Sequence, residues 1–375
     1  MDGVHKHVQR RLCRITPTKA LLRWTALSWT TRLCRHGVFR KSPGGGGPLR
    51  TTMALTAVPR GTYQFLDTEE ARAALLDRYD NFLFDCDGVL WSGNEALPGV
   101  ASFLRKLRAR GKRLLFVSNN ASKSRWTLLE KIKAMGIEGK EEEVFSSAFA
   151  TAAYLKDVLH FPTDRKVYVI GMQGLRDELS HVGISHVGGA DDDSLGLEGL
   201  DFAPLAQEGV VDPSVAAVVC GIDTKINYGK MAKAHVYLTR PGARGPVRSG
   251  ETNGGCHFVC TNGDATFPTS HGMFPGAGSI WAGIQYSSGR DPVVVGKPNQ
   301  PMIDTIFARF DFDKSRTIMA GDRLNTDIAF GQAGGIDTLL VLTGVSSLEH
   351  VHADDAAAVP TYVVGGLCDM DRAID

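Results

Sequence analysis

Asn81-Phe82-Leu83-Phe84-Asp85-Cys86-Asp87-Gly88-Val89-Leu90-Trp91 is a short apolar run that empties into two carboxylates one residue apart, then a glycine. Its length, aromatic entry and Asp/Gly exit predict a buried strand with a turn at its C-terminal end. In an open α/β sheet that end is where ligands bind. Two acids placed so close are costly unless a cation or a proton lies between them. A strand closing in an ordinary Asp-rich turn would be spelled the same way, so the flanking chain has to separate the two readings.

Downstream, Pro98 precedes a helix whose apolar positions Val100, Phe103, Leu104 and Leu107 recur at helical spacing, and Gly111 ends it. Arg113–Val117 is a second strand, delivering Ser118-Asn119-Asn120 at its exit, and Ser122 can cap the helix that follows. With the helical pattern of Thr68–Tyr79 upstream, this alternation predicts an α/β fold with a Rossmann-like parallel sheet. A second α/β passage, with strands at Lys166–Ile170 and Val215–Cys220 and a helix capped by Asn227, reads as an inserted α/β cap. Within it, Asp191-Asp192-Asp193 reads as solvated surface and Arg240–Gly255 as a flexible excursion.

The first sheet is expected to resume at Phe258-Val259-Cys260, continue through Pro292–Val295 into Gly296-Lys297-Pro298, and through Thr317–Ala320 into Gly321-Asp322 and on to Asp327. A last strand, Thr338–Leu342, runs into Thr343-Gly344. The expected division is therefore an extension at 1–60, core at 61–147, cap at 148–258 and core again at 259–375.

Composition agrees with that size. A chain of 375 residues accommodates two domains, or one carrying a large insertion. Its 43% hydrophobic and 22% charged content is that of a soluble globular protein, and no run nears the ~18 apolar residues of a membrane span. Seven cysteines without framework spacing point to a reducing compartment, here the cytoplasm. Residues 1–60 carry 12 Lys/Arg and one acid, Asp2. That suits a mitochondrial transit peptide, a disordered basic tail, or an upstream extension before Met53. The remainder has a net charge of −10, which disfavours nucleic acid as a partner.

Four loops at strand exits now carry different chemistry: Asp85 and Asp87 are carboxylates, Ser118 and Asn119 neutral donors, Lys297 a cation, Asp322 and Asp327 two further carboxylates. Phosphoryl transfer needs such a set: a nucleophile, donors for the equatorial oxygens, a balancing cation and a hard metal held by oxygen. These motifs, in this order, resemble those of the haloacid dehalogenase superfamily. The long insertion resembles the large, C2-type cap of its 4-nitrophenylphosphatase and phosphoglycolate phosphatase branch. Gly221-Ile222-Asp223 with Tyr228 and Lys230, and Thr261-Asn262-Gly263-Asp264, are further signatures of that kind.

The resemblance implies roles residue by residue. Asp85 would be the nucleophile that forms an aspartyl-phosphate, and Asp87 the acid and base. Ser118, Asn119 and Asn120 would hold the phosphoryl group, and Lys297 would neutralise its charge. Mg²⁺ would be held by Asp85, Asp322 and the main-chain carbonyl of Asp87, with Asp327 orienting a bound water or Lys297. The implied activity is hydrolysis of small phosphorylated metabolites, phosphoglycolate first, with pyridoxal phosphate or a sugar phosphate as the rival substrates. A catalytically silent binding protein is the rival of another class. No membrane partner is implied, and a homodimer through the cap is compatible with such a chain. Cys256-His257 with Cys260 lacks a second ligand pair for zinc, and Gly276-Ala277-Gly278 lacks the context of a dinucleotide site.

Overall fold

Asn81–Phe84 is buried at all four positions, as a strand covered on both faces must be. The period of two divides its side chains: Phe82 and Phe84 pack with Phe103, Leu107 and Leu129 on one face, and Leu83 with Leu115, Ala148, Ile303 and Phe330 on the other. This computed structural model describes residues 62–195, 202–206, 210–252, 254–269 and 271–373; the expected extension at 1–60 lies outside them.

The strands that carry the argument are β1 (Gln64–Phe65), β2 (Asn81–Phe84), β3 (Arg113–Ser118), β4 (Val144–Ser146), β5 (Lys166–Ile170), β6 (Ser185–Gly188), β7 (Val215–Cys220), β8 (His257–Cys260), β9 (Val293–Val294), β10 (Thr317–Gly321), β11 (Asp337–Val341) and β12 (Tyr362–Val364). They form two wholly parallel sheets, in the orders β1-β12-β11-β10-β2-β3-β4 and β9-β8-β7-β5-β6. In the first, the chain runs from β2 outward to β3 and β4, then returns on the other side through β10, β11 and β12. The order reverses between β2 and β10, and the crevice beyond their C-terminal ends is where such sheets bind ligands.

The expected division of the chain needs one correction. β8 pairs with β7 and β9, Val259 opposite both Val219 and Val293, so Phe258–Cys260 and the strand before Lys297 belong to the second sheet. The first sheet resumes only at β10. An apolar run announces a strand but not its neighbour, which the crossover helices set. The chain crosses back at Val295, which packs in the same cluster as Leu83 and Met302.

Two surface expectations also change. Asp192 and Asp193 are ion-paired to Lys233 and Lys230 at 3.0 and 2.7 Å, with Asn227 Nδ2 donating to both of their carbonyls. The Arg240–Gly255 passage is held at Ala243, which is buried, and at its flanks, where Arg290 donates to the carbonyls of Leu238 and Cys256 as well as of Ala243, while most of its described residues are exposed. Among the described residues, no helix is long and apolar enough to cross a membrane.

Candidate active site

Asp85 is the first residue beyond β2, and its N–H donates to the carbonyl of Ala320 in β10 at 2.8 Å. That bond fixes the strand exit against its neighbour. The Lys297 ammonium reaches Asp85 Oδ1 at 2.5 Å, Asp327 Oδ1 at 2.8 Å and the carbonyl of Val117 in β3 at 2.9 Å. Two of these contacts are hydrogen bonds and the one to Asp327 is an ion pair, and at 2% exposure the ammonium binds three segments together.

Asp322 follows β10 directly. Its Oδ2 accepts from the N–H of Val345 at 2.8 Å, whereas its Oδ1 is buried with no hydrogen-bond partner. Gly88 and Gly344 close over this carboxylate, and a Cβ on either would collide with it. Gly88 also has φ +85°, so two separate demands fix glycine there. Asp327, in the π-helical turn Leu324–Ile328, accepts at Oδ2 from the N–H groups of Asp322 and Arg323, both at 3.2 Å.

Carboxylate oxygens of Asp85, Asp322 and Asp327 all lie within 4.8 Å of one another. Three acids facing one lysine leave an excess of negative charge in a poorly solvated space, and the protonation equilibria register it. Burial pushes Asp85 well above the usual carboxylate range despite Lys297, with Asp327 and Asp322 adding to the rise. Burial and then Asp327 push Asp322 up to about 7. Burial pulls the Lys297 ammonium down, but Asp327 and Asp85 outweigh it, so its net shift is upward.

The other expected residues divide. Asp87 lines the same cavity, half-exposed, with its carboxylate accepting from Trp91 Nε1 at 2.7 Å and 3.9 Å from the Lys131 ammonium. It stands outside the three-acid cluster. Ser118 is buried at the end of β3. Asn120 turns its Oδ1 back to the N–H and hydroxyl of Ser122, at 2.9 and 2.6 Å.

Asn119 engages its side chain within the protein. Its Nδ2 donates to Asp264 Oδ2 at 2.8 Å and to the Lys297 carbonyl at 3.0 Å, while its Oδ1 accepts from the Lys297 N–H at 2.9 Å. The side chain is a clamp between three loops, and what it can offer a ligand is its backbone N–H.

Two more residues belong here: Asp264, the last of the Thr261–Asp264 signature, and Arg323, which the sequence did not single out. Asp264, pushed up by burial against the opposing effect of Asn119, is the far end of that clamp. Arg323 lines the cavity, and its one signal in the sequence is its place beside Asp322. The cavity is about 510 Å³, within the range of small-molecule sites. Its far wall comes from the cap: Met172, Ile222, Thr224, Thr266 and Phe267.

Carboxylates and neutral donors at a parallel sheet's switch point, joined there by a buried lysine from the returning chain, suit chemistry on compact anionic substrates. Comparison with known proteins fixes the family. A haloacid dehalogenase-like hydrolase model matches residues 82–185, and a second model of that type matches 294–370. The chain is 43% identical over 297 residues to a 4-nitrophenylphosphatase of Schizosaccharomyces pombe, covering 79% of this chain and 94% of that one. To the chloroplastic phosphoglycolate phosphatase 1A of Arabidopsis thaliana it is 39% identical, covering 86% and 84%. A glycerol phosphate phosphatase of Mycobacterium tuberculosis, solved with magnesium, superposes with a TM-score of 0.62 at 28% identity, covering 80% of this chain and 77% of that one. The chain belongs to the haloacid dehalogenase-like hydrolases, in the phosphatase branch that these relatives represent.

Proposed function

We propose that the protein is a Mg²⁺-dependent phosphomonoesterase of small metabolites that works through an aspartyl-phosphate on Asp85. The observation that carries this reading is the Asp85–Lys297–Asp327 chain of ion pairs beside the orphaned Oδ1 of Asp322. A buried carboxylate oxygen left without a donor, amid excess negative charge, fits a hard divalent cation. Asp85 and Asp322 would hold it, and Asp87 would take part through its main-chain carbonyl, since its carboxylate stands apart. Bound there, Mg²⁺ would supply positive charge to the phosphoryl oxygens and to the attacking carboxylate.

Asp85 attacks phosphorus through its free oxygen while Lys297 holds the other, which orients the carboxylate for in-line displacement. Ser118 and the N–H of Asn119 would donate to the equatorial oxygens. Half-exposed at the cavity mouth, Asp87 can reach both the departing alkoxide and bulk water. It would give its proton to that alkoxide, then take one from the water that hydrolyses the acyl phosphate. Asp327, with Lys297 on one oxygen and two N–H groups on the other, serves as a positioning residue.

Relatives named for 4-nitrophenyl phosphate, phosphoglycolate and glycerol phosphate make a small phosphate ester the substrate class. The test is Asp85→Asn, nearly isosteric but a poor nucleophile. It should lower kcat on 4-nitrophenyl phosphate by at least about 10⁴-fold with an unchanged circular dichroism spectrum. Turnover within tenfold of wild type would overturn the assignment.

A further inference from the structure

The cavity holds two cations with unlike circumstances. Lys297 is engaged within the protein: it is hydrogen-bonded to Asp85 and the Val117 carbonyl and ion-paired to Asp327. Arg323 is not. Its backbone is pinned by the bond from its N–H to Asp327, yet its Nε is shut away from solvent with no hydrogen-bond partner. Among the described residues its guanidinium makes no ion pair and stacks on no ring. The carboxyls of Asp264 and Asp322 feel its charge only at a distance, as a lowering influence on both. A buried N–H without an acceptor is costly, and a guanidinium offers five donors in a planar fork suited to a carboxylate. Such a group is held ready for something that enters the cavity.

Resting on the phosphatase reading above, we propose that Arg323 is a specificity-determining residue that pairs with a carboxylate on the alcohol portion of the substrate. The phosphoryl group already has its complement in Ser118, the N–H of Asn119 and the cation that Asp85 and Asp322 would hold. A second cation serves best where a second negative charge arrives. Met172, Ile222, Phe267, Thr224 and Thr266 on the wall are apolar or weakly polar, and the Asp264 carboxylate is taken by the Asn119 amide. The favoured class is therefore the phosphate ester of a short 2-hydroxy carboxylate, ahead of esters of neutral alcohols or polyols.

The test compares Arg323→Gln and Arg323→Lys with wild type on 2-phosphoglycolate, glycerol 3-phosphate and 4-nitrophenyl phosphate. For Arg323→Gln, the ratio of kcat/KM for 2-phosphoglycolate to that for glycerol 3-phosphate should fall at least about 30-fold, mostly through KM. Arg323→Lys should restore part of that ratio. As a second measurement, glycolate should inhibit 4-nitrophenyl phosphate hydrolysis by wild type at least tenfold more strongly than by Arg323→Gln. A loss equal on all three esters would place the charge at the phosphoryl group and overturn the inference, as would a ratio that moves less than threefold. Both outcomes leave the phosphatase reading standing. Wild-type protein that hydrolyses none of the esters would bring both down.

Discussion

Each of the two sheets ends in a cluster of aspartates and lysines, and the clusters differ in balance. In the cap, Lys230 is fully buried and held at 2.7 Å by both Asp193 and Asp223, Lys233 pairs with Asp192, and Lys225 reaches Asp193 at 2.9 Å. Three lysines answer three aspartates, and Tyr168 adds a hydroxyl to Asp192 at 2.8 Å. At the core site a single lysine answers Asp85, Asp322 and Asp327, and an oxygen of Asp322 is left over. Buried charge is tolerated when it is paired, so the balanced cluster is complete as it stands. The unbalanced one carries an excess of negative charge, which a cation would offset on the proposed reading. Charge balance, rather than charge density, separates the structural cluster from the functional one.

The comparison breaks most visibly if an acid is neutralised in each. On the proposed reading Asp322→Asn removes a metal ligand, and it should lower kcat by at least about 10³-fold at saturating Mg²⁺. The same change relieves repulsion, so the metal-free protein should melt no lower than wild type, measured after chelation. Asp223→Asn should do the reverse, leaving kcat of the folded protein within about threefold while lowering its melting temperature. If Asp322→Asn destabilised the metal-free protein as Asp223→Asn does, the two clusters would be of one kind.

Next in size is removal of the buried cation in the cap. Lys230→Met strands Asp223 in a buried position, and breaking a buried pair by deleting one partner costs about 3–5 kcal/mol. Urea titration should show that loss in the unfolding midpoint, while 4-nitrophenyl phosphate turnover in the absence of urea stays within about threefold. A midpoint unchanged within error would mean the cluster contributes nothing to the fold.

Why the sequence showed one cluster and not the other follows from locality. Asp85, Asp87, Ser118 and Asp322 sit at strand exits, and an apolar run followed by a polar turn is written in consecutive letters. Asp192 looked solvated because its partner Lys233 lies 41 residues on and its hydroxyl donor Tyr168 24 residues back. The clamp role of the Asn119 side chain is hidden because its partners, Asp264 and the Lys297 backbone, are 145 and 178 residues away. β8 was assigned to the wrong sheet for the same reason: its own residues do not encode which strand it will lie beside.

The Asn119 clamp gives a smaller effect. Asn119→Ala removes three hydrogen bonds that tie the β3 exit to the Lys297 loop and to the cap return, without removing a group that performs chemistry. A fall in kcat/KM of roughly 10–30-fold is expected, the scale of misplacing a catalytic group rather than deleting it. Asp264→Asn keeps an acceptor for Asn119 Nδ2 and should cost less than threefold. Equal losses in the two variants would show that the charge of Asp264, not the clamp, is what the site requires.

The finest test is in pH. Burial lowers the pKa of Lys230, but its bonds to Asp193 and Asp223 outweigh that, so the folded value lies above the ordinary one. A raised lysine pKa means the folded state holds its proton more tightly than the unfolded chain does. The stabilisation is then fully present below the unfolded lysine value of about 10.4 and is lost as pH rises through the folded one. Lys230→Met lacks this proton altogether. Its deficit in melting temperature against wild type should stay flat from pH 7 to about pH 10, then narrow as the pH rises further. A deficit that stayed constant or widened above that range would show that packing of the lysine stem, not its charge, holds the cap cluster together. The contrast with the core site would then have to rest on geometry alone.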